Sequence, residues 1–191
     1  MIFNTAFYWG TPARILHWVA AAMLLFLYFH GLVIEEWYEH DRAAETAQLH
    51  LHAATGATLG VWMLGRYLWR LVNKIPMLPA KSPEWENKLA GIAHIGLYIA
   101  TFVTIVAGWM LAGVRQPALD VKFLGLVPMP TLAMFKDKAT IELVELVHAL
   151  SAHLLMVMVV LHVLAALWHH YVHRDSVLKR MLLRGKNRTR A

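Results

Sequence analysis

Four long apolar stretches, separated by short polar segments, dominate the pattern along this chain. A helix needs roughly 20 mainly apolar residues, at a rise of about 1.5 Å each, to cross the hydrocarbon core of a bilayer. The stretches therefore predict four membrane-spanning helices, at about residues 13–34, 47–72, 91–114 and 142–171. The first stretch lacks a small-residue cleavage site and is followed by three equivalent stretches, so we expect a retained helix rather than a signal peptide.

The segments between these helices are short. The segment 73–88 holds three prolines and several charges, which is typical of a loop joining two helical hairpins. The sequence shows no short-period repeat, low-complexity tract or glycine-rich phosphate loop. We therefore expect one transmembrane domain over residues 1–191, an all-α membrane protein built as a four-transmembrane-helix bundle.

Composition and charge support a lipid environment. Hydrophobic residues make up 59% of the chain and charged residues only 16%, which is too apolar for an ordinary soluble domain. Most of the 18 Lys and Arg residues fall at the N-terminus, around the middle loop and in the C-terminal tail. The positive-inside rule then predicts that both termini are cytoplasmic. We expect the basic tail to contact anionic membrane lipid and no nucleic acid.

The twelve histidines are the main candidate chemistry, because ionisable groups at bilayer depth are costly and usually functional. On helix four, His148 and His162 are 14 residues apart, which places them about 40° apart on one face and roughly 21 Å apart along the axis. His153 lies about 140° from His148, so we expect it only to hydrogen-bond to a neighbouring helix or the interface. Two imidazoles on one inward face predict two metal centres in the bundle core.

Each centre needs a second ligand from another helix. Antiparallel threading matches His17 in depth with His162, and a histidine of helix two with His148. The match of His17 improves if helix one begins near Pro12, a residue that suits the first turn of a helix.

Helix two offers two histidines, His50 and His52, which are about 200° apart, so at most one faces the core. Gly56 and Gly60 continue the face of His52 and leave room for a flat macrocycle against the backbone. Close helix packing is an alternative reading of the same glycines. We take His52 as the ligand.

The ligand chemistry favours haem b over a bare ion. The chain has no cysteine, which excludes thiolate-held clusters and the covalent attachment of c-type haem. Zinc prefers four clustered ligands, and copper often recruits sulfur. We expect two non-covalent haems b between the helices.

Short motifs occur in order along the four helices: ILHW at 15–18; HAATG at 52–56 with Arg66 and Arg70; HIGLY at 94–98 with Gly108 and Trp109; His148 and His162 with AALWHH at 165–170 and RDSVL at 174–178. Together they resemble the prokaryotic cytochrome b561 family, small di-haem cytochromes of the bacterial cell inner membrane, over nearly the whole chain. The resemblance implies that the axial ligands of the haem irons are His17, His52, His148 and His162.

Three further residues are candidates for haem binding. Arg14 and Arg66 are plausible partners of the haem propionates, although both also suit positive-inside anchors. His94 matches a family histidine that is not a ligand, and it would orient a propionate, handle a proton or make a structural hydrogen bond.

The segment 120–138 is too apolar for solvent and too broken by glycine and proline to span the membrane. We expect it to lie over the outer end of the bundle, where it would cap the outer haem and form part of a quinone pocket. A loop seated among lipid headgroups is the alternative. Lys122, Lys136 and Lys138 would attract small anions there.

Three functions remain open from the sequence. The first is electron transfer between the quinone pool (ubiquinone and ubiquinol) and a periplasmic partner. The resemblance makes a superoxide:ubiquinone oxidoreductase one concrete version of it. The alternatives are a cytochrome b anchor subunit of a larger dehydrogenase or hydrogenase, and a histidine-lined metal transporter.

Overall fold

The computed structural model describes residues 1–38, 40–77, 83–114, 121–130, 135 and 137–182. This part of the chain is mostly helical, with one two-stranded hairpin. Its elements are α1 (Thr11–Trp37), α2 (Arg42–Val72), α3 (Glu84–Val114), β1 (Lys122–Phe123), β2 (Val127–Pro128), α4 (Lys138–Tyr171) and α5 (Val177–Met181). Helix α3 packs along α4, α1 packs along α2, and α2 packs against α3.

Three of the long helices, α1, α3 and α4, are long and apolar enough to cross a membrane. Helix α2 has 31 residues, but charged and polar side chains are spread over both of its ends. The predicted class of an all-α membrane protein is therefore confirmed, with three candidate spans in the described part of the chain.

The helices extend beyond the apolar stretches that predicted them. Helix α1 begins at Thr11 with Pro12 in its first turn, as the depth of His17 required. Helix α3 begins seven residues before position 91, at Glu84, because polar residues continue the helical hydrogen bonds outside an apolar stretch. Helix α4 begins at Lys138, where the side chain of Asp137 accepts a hydrogen bond from the backbone N–H of Thr140.

An apolar cluster joins α1, α2 and α3 midway along the bundle. Its buried members are Ala20, Leu59 and Met63. Partly buried side chains surround them: Met23, Leu24, Leu27, Trp62, Tyr98, Phe102 and Ile105. This cluster leaves the histidines of each helix nearer to the two ends of the bundle.

The hairpin of β1 and β2 covers one end of α2 and α3. Val121, just before β1, is buried against Ala112 and the α2 residues Leu49, Ala53 and Ala57. The backbone N–H of Leu124 donates to Thr58 Oγ1 at 3.1 Å. These contacts place the described part of segment 120–138 over one end of the bundle. Residues 120, 131–134 and 136, including Lys136, lie outside the described residues.

The opposite end of the bundle holds the N-terminal segment and α5. Phe3 stacks on Trp69 at the end of α2, with ring centroids 5.8 Å apart. Trp18 Nε1 of α1 donates to the carbonyl oxygen of Met181 in α5. These contacts tie the start of the chain and the end of its described part to one side of the bundle.

Candidate functional site

Histidine side chains meet at two levels of the bundle. Near the N-terminal segment and α5, His17 of α1 faces His162 of α4, with ring centroids 6.3 Å apart. Near the hairpin, His52 of α2 faces His148 of α4 at 6.2 Å. We call the first group, with its neighbours, the tail-side cluster and the second the hairpin-side cluster. The two pairs lie roughly 21 Å apart along α4, because 14 residues separate the α4 histidines.

Helix α3 positions His148 in the hairpin-side cluster. His148 Nδ1 lies 2.9 Å from the carbonyl oxygen of Thr104, which can only accept, so Nδ1 carries the proton and Nε2 keeps its lone pair. One turn further along α3, a Cβ atom at Gly108 would lie 2.8 Å from Cε1 of His148. A residue without a side chain at 108 is therefore what allows this imidazole to lie against α3.

The hairpin-side cluster also contains two residues that the sequence analysis missed, His30 and Gln48. The ring of His30 stacks on that of His52 at 5.8 Å, and His30 Nε2 lies 3.0 Å from Gln48 Oε1. Both His30 Nδ1 and His52 Nδ1 are buried without a hydrogen-bond partner in the described residues. Its position along the chain could have indicated His30. Counted in residues, His30 lies about as far before the α1–α2 connection as His52 lies after it, so the two histidines have similar levels in the bundle.

Arg66 of α2 is the charged member of the tail-side cluster. Its Nη1 donates to Nδ1 of His17 at 2.6 Å, and its Nε donates to the hydroxyl of Tyr98 at 3.1 Å. A guanidinium only donates, so Nδ1 of His17 accepts and the ring proton sits on Nε2. The structure thus places Arg66 in the site, directly on one of the candidate ligands.

His94 of α3 completes the tail-side cluster. Its ring lies 5.3 Å from that of His162, and its Nδ1 donates to the carbonyl oxygen of Ala90 at 2.6 Å within its own helix. Of the readings open from the sequence, the structural hydrogen bond is present. Its Nε2 takes no part in that hydrogen bond.

Arg14 is turned towards the residue that follows α5. It donates to the carbonyl oxygen of Leu182 at 2.9 Å and to Thr11 Oγ1 at 3.2 Å. His153 hydrogen-bonds through Nδ1 to the hydroxyl of Tyr28 on α1 at 3.0 Å, which is the contact with a neighbouring helix that its position predicted.

The glycines that selected His52 have different surroundings. A Cβ at Gly56 would meet nothing within 4 Å, whereas a Cβ at Gly60 would lie 3.2 Å from Cγ2 of Ile105 on α3. At Gly60 the structure shows close helix packing, the alternative interpretation of these glycines, because α3 packs there. Ring contacts with His30 and His148 show that His52 faces the cluster, and His50 lies about 200° around the helix.

The spacing of both pairs suits a metal held between two imidazoles. Bonds of about 2 Å from each nitrogen, together with the two ring radii, put the centroids of such a pair roughly 6 Å apart. The observed separations are 6.3 and 6.2 Å. Nε2 of His148 has a lone pair that can bind a metal. Nε2 of His17 carries the ring proton, and it gains a lone pair only when Arg66 stops donating to Nδ1 and the proton moves there. The residues therefore fit haem b at both levels, with a rearrangement at the tail side.

The chain is similar in sequence to known bacterial proteins. The family model described as "Prokaryotic cytochrome b561" matches residues 8–184. "Cytochrome b561 homolog 2" of Escherichia coli strain K12 is 30% identical over 186 residues, which cover 94% of this chain and 93% of that protein. "Cytochrome b561 homolog 1" of the same strain is 26% identical over 174 residues, covering 90% and 94%. "Probable superoxide oxidase CybB" of Yersinia pestis is 29% identical over 136 residues, covering 69% and 73%.

Proposed function

This chain belongs to the prokaryotic cytochrome b561 family, and we propose that it is a di-haem b protein that transfers electrons between the quinone pool and a periplasmic partner. The observation that carries this proposal is the presence of two histidine pairs at different levels of one bundle, His17 with His162 and His52 with His148. Family membership supports haem b and membrane electron transfer. The number of haems is inferred from the two pairs.

Each pair would hold one haem b through its two imidazoles, and the bound haem would supply a one-electron carrier at that level. Because two histidines would bind each iron, substrate would exchange electrons with the haem without binding to the metal. The surrounding residues then act by holding the imidazoles and setting the local charge. At the hairpin side, the carbonyl oxygen of Thr104 accepts the hydrogen bond that orients His148, and Gly108 leaves room for its ring.

At the tail side, Arg66 supplies a positive charge beside His17, with Tyr98 holding its guanidinium. A fixed positive charge favours the reduced form of a nearby redox centre. We therefore assign the higher potential to the tail-side centre. Arg66 is the better supported of the two propionate candidates, because it lies beside the candidate ligand His17, whereas Arg14 donates to the carbonyl oxygen of Leu182.

Helix α2 would be the fourth span. Its His52 contacts His148, and its Arg66 contacts His17. Because 14 residues separate these two positions, α2 runs alongside its neighbours for roughly 21 Å between the two clusters. A helix that reaches both levels of three apolar helices shares their depth, and its polar side chains there would face the clusters rather than lipid.

The orientation would place both termini in the cytoplasm of a bacterium, with the protein in the inner membrane. The support is the positive-inside distribution of Lys and Arg, together with the family. The tail-side cluster would then lie nearer the cytoplasmic face of the membrane, and the hairpin-side cluster nearer the periplasmic face.

A quinone is the proposed partner in the membrane, and superoxide is a candidate donor at the periplasmic side. The support for superoxide is the name of the Yersinia pestis relative. In the balanced reaction, two superoxide ions each lose one electron to become O₂, and one quinone takes up both electrons and two protons to become quinol. The predicted cationic patch has limited support, since Lys138 pairs with Glu142 at 3.4 Å and Lys136 lies outside the described residues.

Haem counting on single variants tests the two-pair proposal. We expect two haems b per wild-type chain, loss of the hairpin-side haem in His52→Ala or His148→Ala, and loss of the other in His17→Ala or His162→Ala. His153→Ala is the matched control on α4 and should keep both. One haem per chain in the wild type, or two retained in His52→Ala, would refute the assignment.

Stopped-flow reduction tests the donor. Superoxide should reduce the haems of the protein in liposomes rapidly, and added ubiquinone should reoxidise them. If superoxide reduces them slowly while a quinol does so readily, the periplasmic partner is not superoxide.

A further inference from the structure

A third group of metal-ligating side chains lies outside the two histidine pairs, where α3 begins and α4 ends. Glu86 of α3, His169 of α4 and His173 just after α4 can each offer one ligand atom, and these atoms lie within 4.8 Å of one another. The rings of the two histidines are 5.1 Å apart. None of these three residues is a candidate haem ligand.

The buried carboxylate of Glu86 has few partners among the described residues. Its Oε1 lies 3.7 Å from Nε2 of His173, too far for a hydrogen bond. Its Oε2 is buried and has no hydrogen-bond partner in the described residues. The side chain is only 15% exposed, and burying a carboxylate without partners costs free energy. A cation between Glu86 and His173 would satisfy both side chains.

His169 is oriented as a metal-binding histidine usually is. Its Nδ1 donates to Oδ2 of Asp175 at 2.6 Å, which leaves Nε2 with a lone pair. Asp175 is itself held, because its Oδ1 accepts from the backbone N–H of Val177 at 2.9 Å and its own N–H donates to the carbonyl oxygen of His169. Arg174, with φ of 52°, provides the left-handed turn that brings Asp175 back to α4.

We propose that Glu86, His169 and His173 form a binding site for a zinc-like divalent cation, with Asp175 orienting His169 and water at the fourth position. Two imidazoles and one carboxylate suit zinc, whereas calcium and magnesium prefer oxygen ligands. In a tetrahedral zinc site, bonds of about 2 Å place ligand atoms roughly 3.3 Å apart. The 3.7 Å between Glu86 and His173 is close to that distance, so small side-chain movements complete the site.

The consequence for the fold is a link between the first turn of α3 and the turn that follows α4. A cation bound only by the folded state stabilises it in proportion to the logarithm of its concentration over its dissociation constant. Zinc would therefore raise the melting temperature without changing the haem content. This separates the site from the two haem pairs, whose failure would appear in the haem count instead.

Zinc binding to the haem-loaded protein tests the proposal. The protein is purified with a tag that contains no histidine, stripped with EDTA and titrated with Zn²⁺ against a chromophoric chelator. We expect one zinc per chain, at least tenfold weaker binding in Glu86→Gln and in His173→Gln, and about 10- to 100-fold weaker binding in Asp175→Asn. His170→Gln is the matched control, because His170 neighbours His169 but is not a ligand, and it should bind zinc like the wild type.

X-ray absorption at the zinc edge gives a second readout on the wild type, which does not depend on the folding of any variant. Scattering from two imidazoles in a four-coordinate shell is the expected result. No tight zinc site, equal binding by all variants, or a zinc shell without imidazole scattering would each overturn the proposal.

Discussion

Replacing Gly108 by Ala should remove the hairpin-side haem selectively. The added Cβ would lie 2.8 Å from Cε1 and 3.1 Å from Nδ1 of His148. The ring cannot keep its position against α3, so it must move away from Thr104, whose carbonyl oxygen now holds Nδ1 at 2.9 Å. The tail-side pair, about four helical turns away along α4, should be unaffected.

The size of the effect follows from two losses. Overpacking at a close contact costs about 1–3 kcal/mol, and losing the hydrogen bond of His148 adds about 0.5–1.5 kcal/mol. Their sum is an upper bound because both losses act on one side chain. At about 1.4 kcal/mol per factor of ten, haem affinity at this level should fall by about fivefold for the smallest steric cost alone and by at most roughly 2,000-fold.

The assay is the haem-to-chain ratio of the purified variant, with redox titration to identify the haem that is lost. Gly91→Ala is the matched control on the same helix, since a Cβ there would meet nothing within 4 Å. Gly96→Ala is a milder case, because its Cβ would meet Cε of Met158, the flexible end of a long side chain. A Gly108→Ala protein that keeps both haems with unchanged potentials would refute the assignment of His148 as a ligand held by α3.

Two further predictions concern charge. Arg66→Gln should lower the midpoint potential of the tail-side haem and leave the other unchanged, because the positive charge beside His17 is lost. The control is Arg70→Gln, because the guanidinium of Arg70, like that of Arg66, lies 5.8 Å from the ring centre of Tyr98. Equal shifts of the potential in both variants would contradict the role of Arg66. Hydrogen bonds from Thr140 hold the pKa of Asp137 below its usual value of 3.8. The stability from this helix cap is therefore present above pH 3.8 and is lost as the pH falls through the lowered pKa. Thermal melts should show Asp137→Ala less stable than the wild type at neutral pH, with a difference that shrinks in acid; a difference independent of pH would argue against a charged cap.

Hydropathy and helical periodicity predicted four long helices, and the described residues contain four. The same reasoning placed His153 off the shared face of His148 and His162, and its hydrogen bond to Tyr28 agrees. It did not locate the helix ends, since Glu84 begins α3 well outside the apolar stretch. Hydropathy reports the part of a helix that suits lipid, whereas the helical hydrogen bonds continue through polar turns.

The glycines and arginines show a second limit. Gly60 has the spacing of an open face along α2, yet Ile105 of the neighbouring helix lies against it. Arg14 and Arg66 were both candidate propionate partners, but only Arg66 lies beside a candidate ligand, since Arg14 donates to the carbonyl oxygen of Leu182. Spacing within a helix shows which residues share a face, and it does not show what lies opposite.

The sequence by itself determined the class of this protein, its long helices and the level of His17, His52, His148 and His162 along them, because apolar length and rise per residue are local properties of the chain. The tertiary structure alone decided how each helix is rotated about its axis and therefore which side chains meet across helices. Those meetings join residues far apart in the sequence: His30 with His52, Gly108 with His148, Arg66 with His17, and Glu86 with His173. Rotation is set by packing against neighbouring helices, which no single helix encodes.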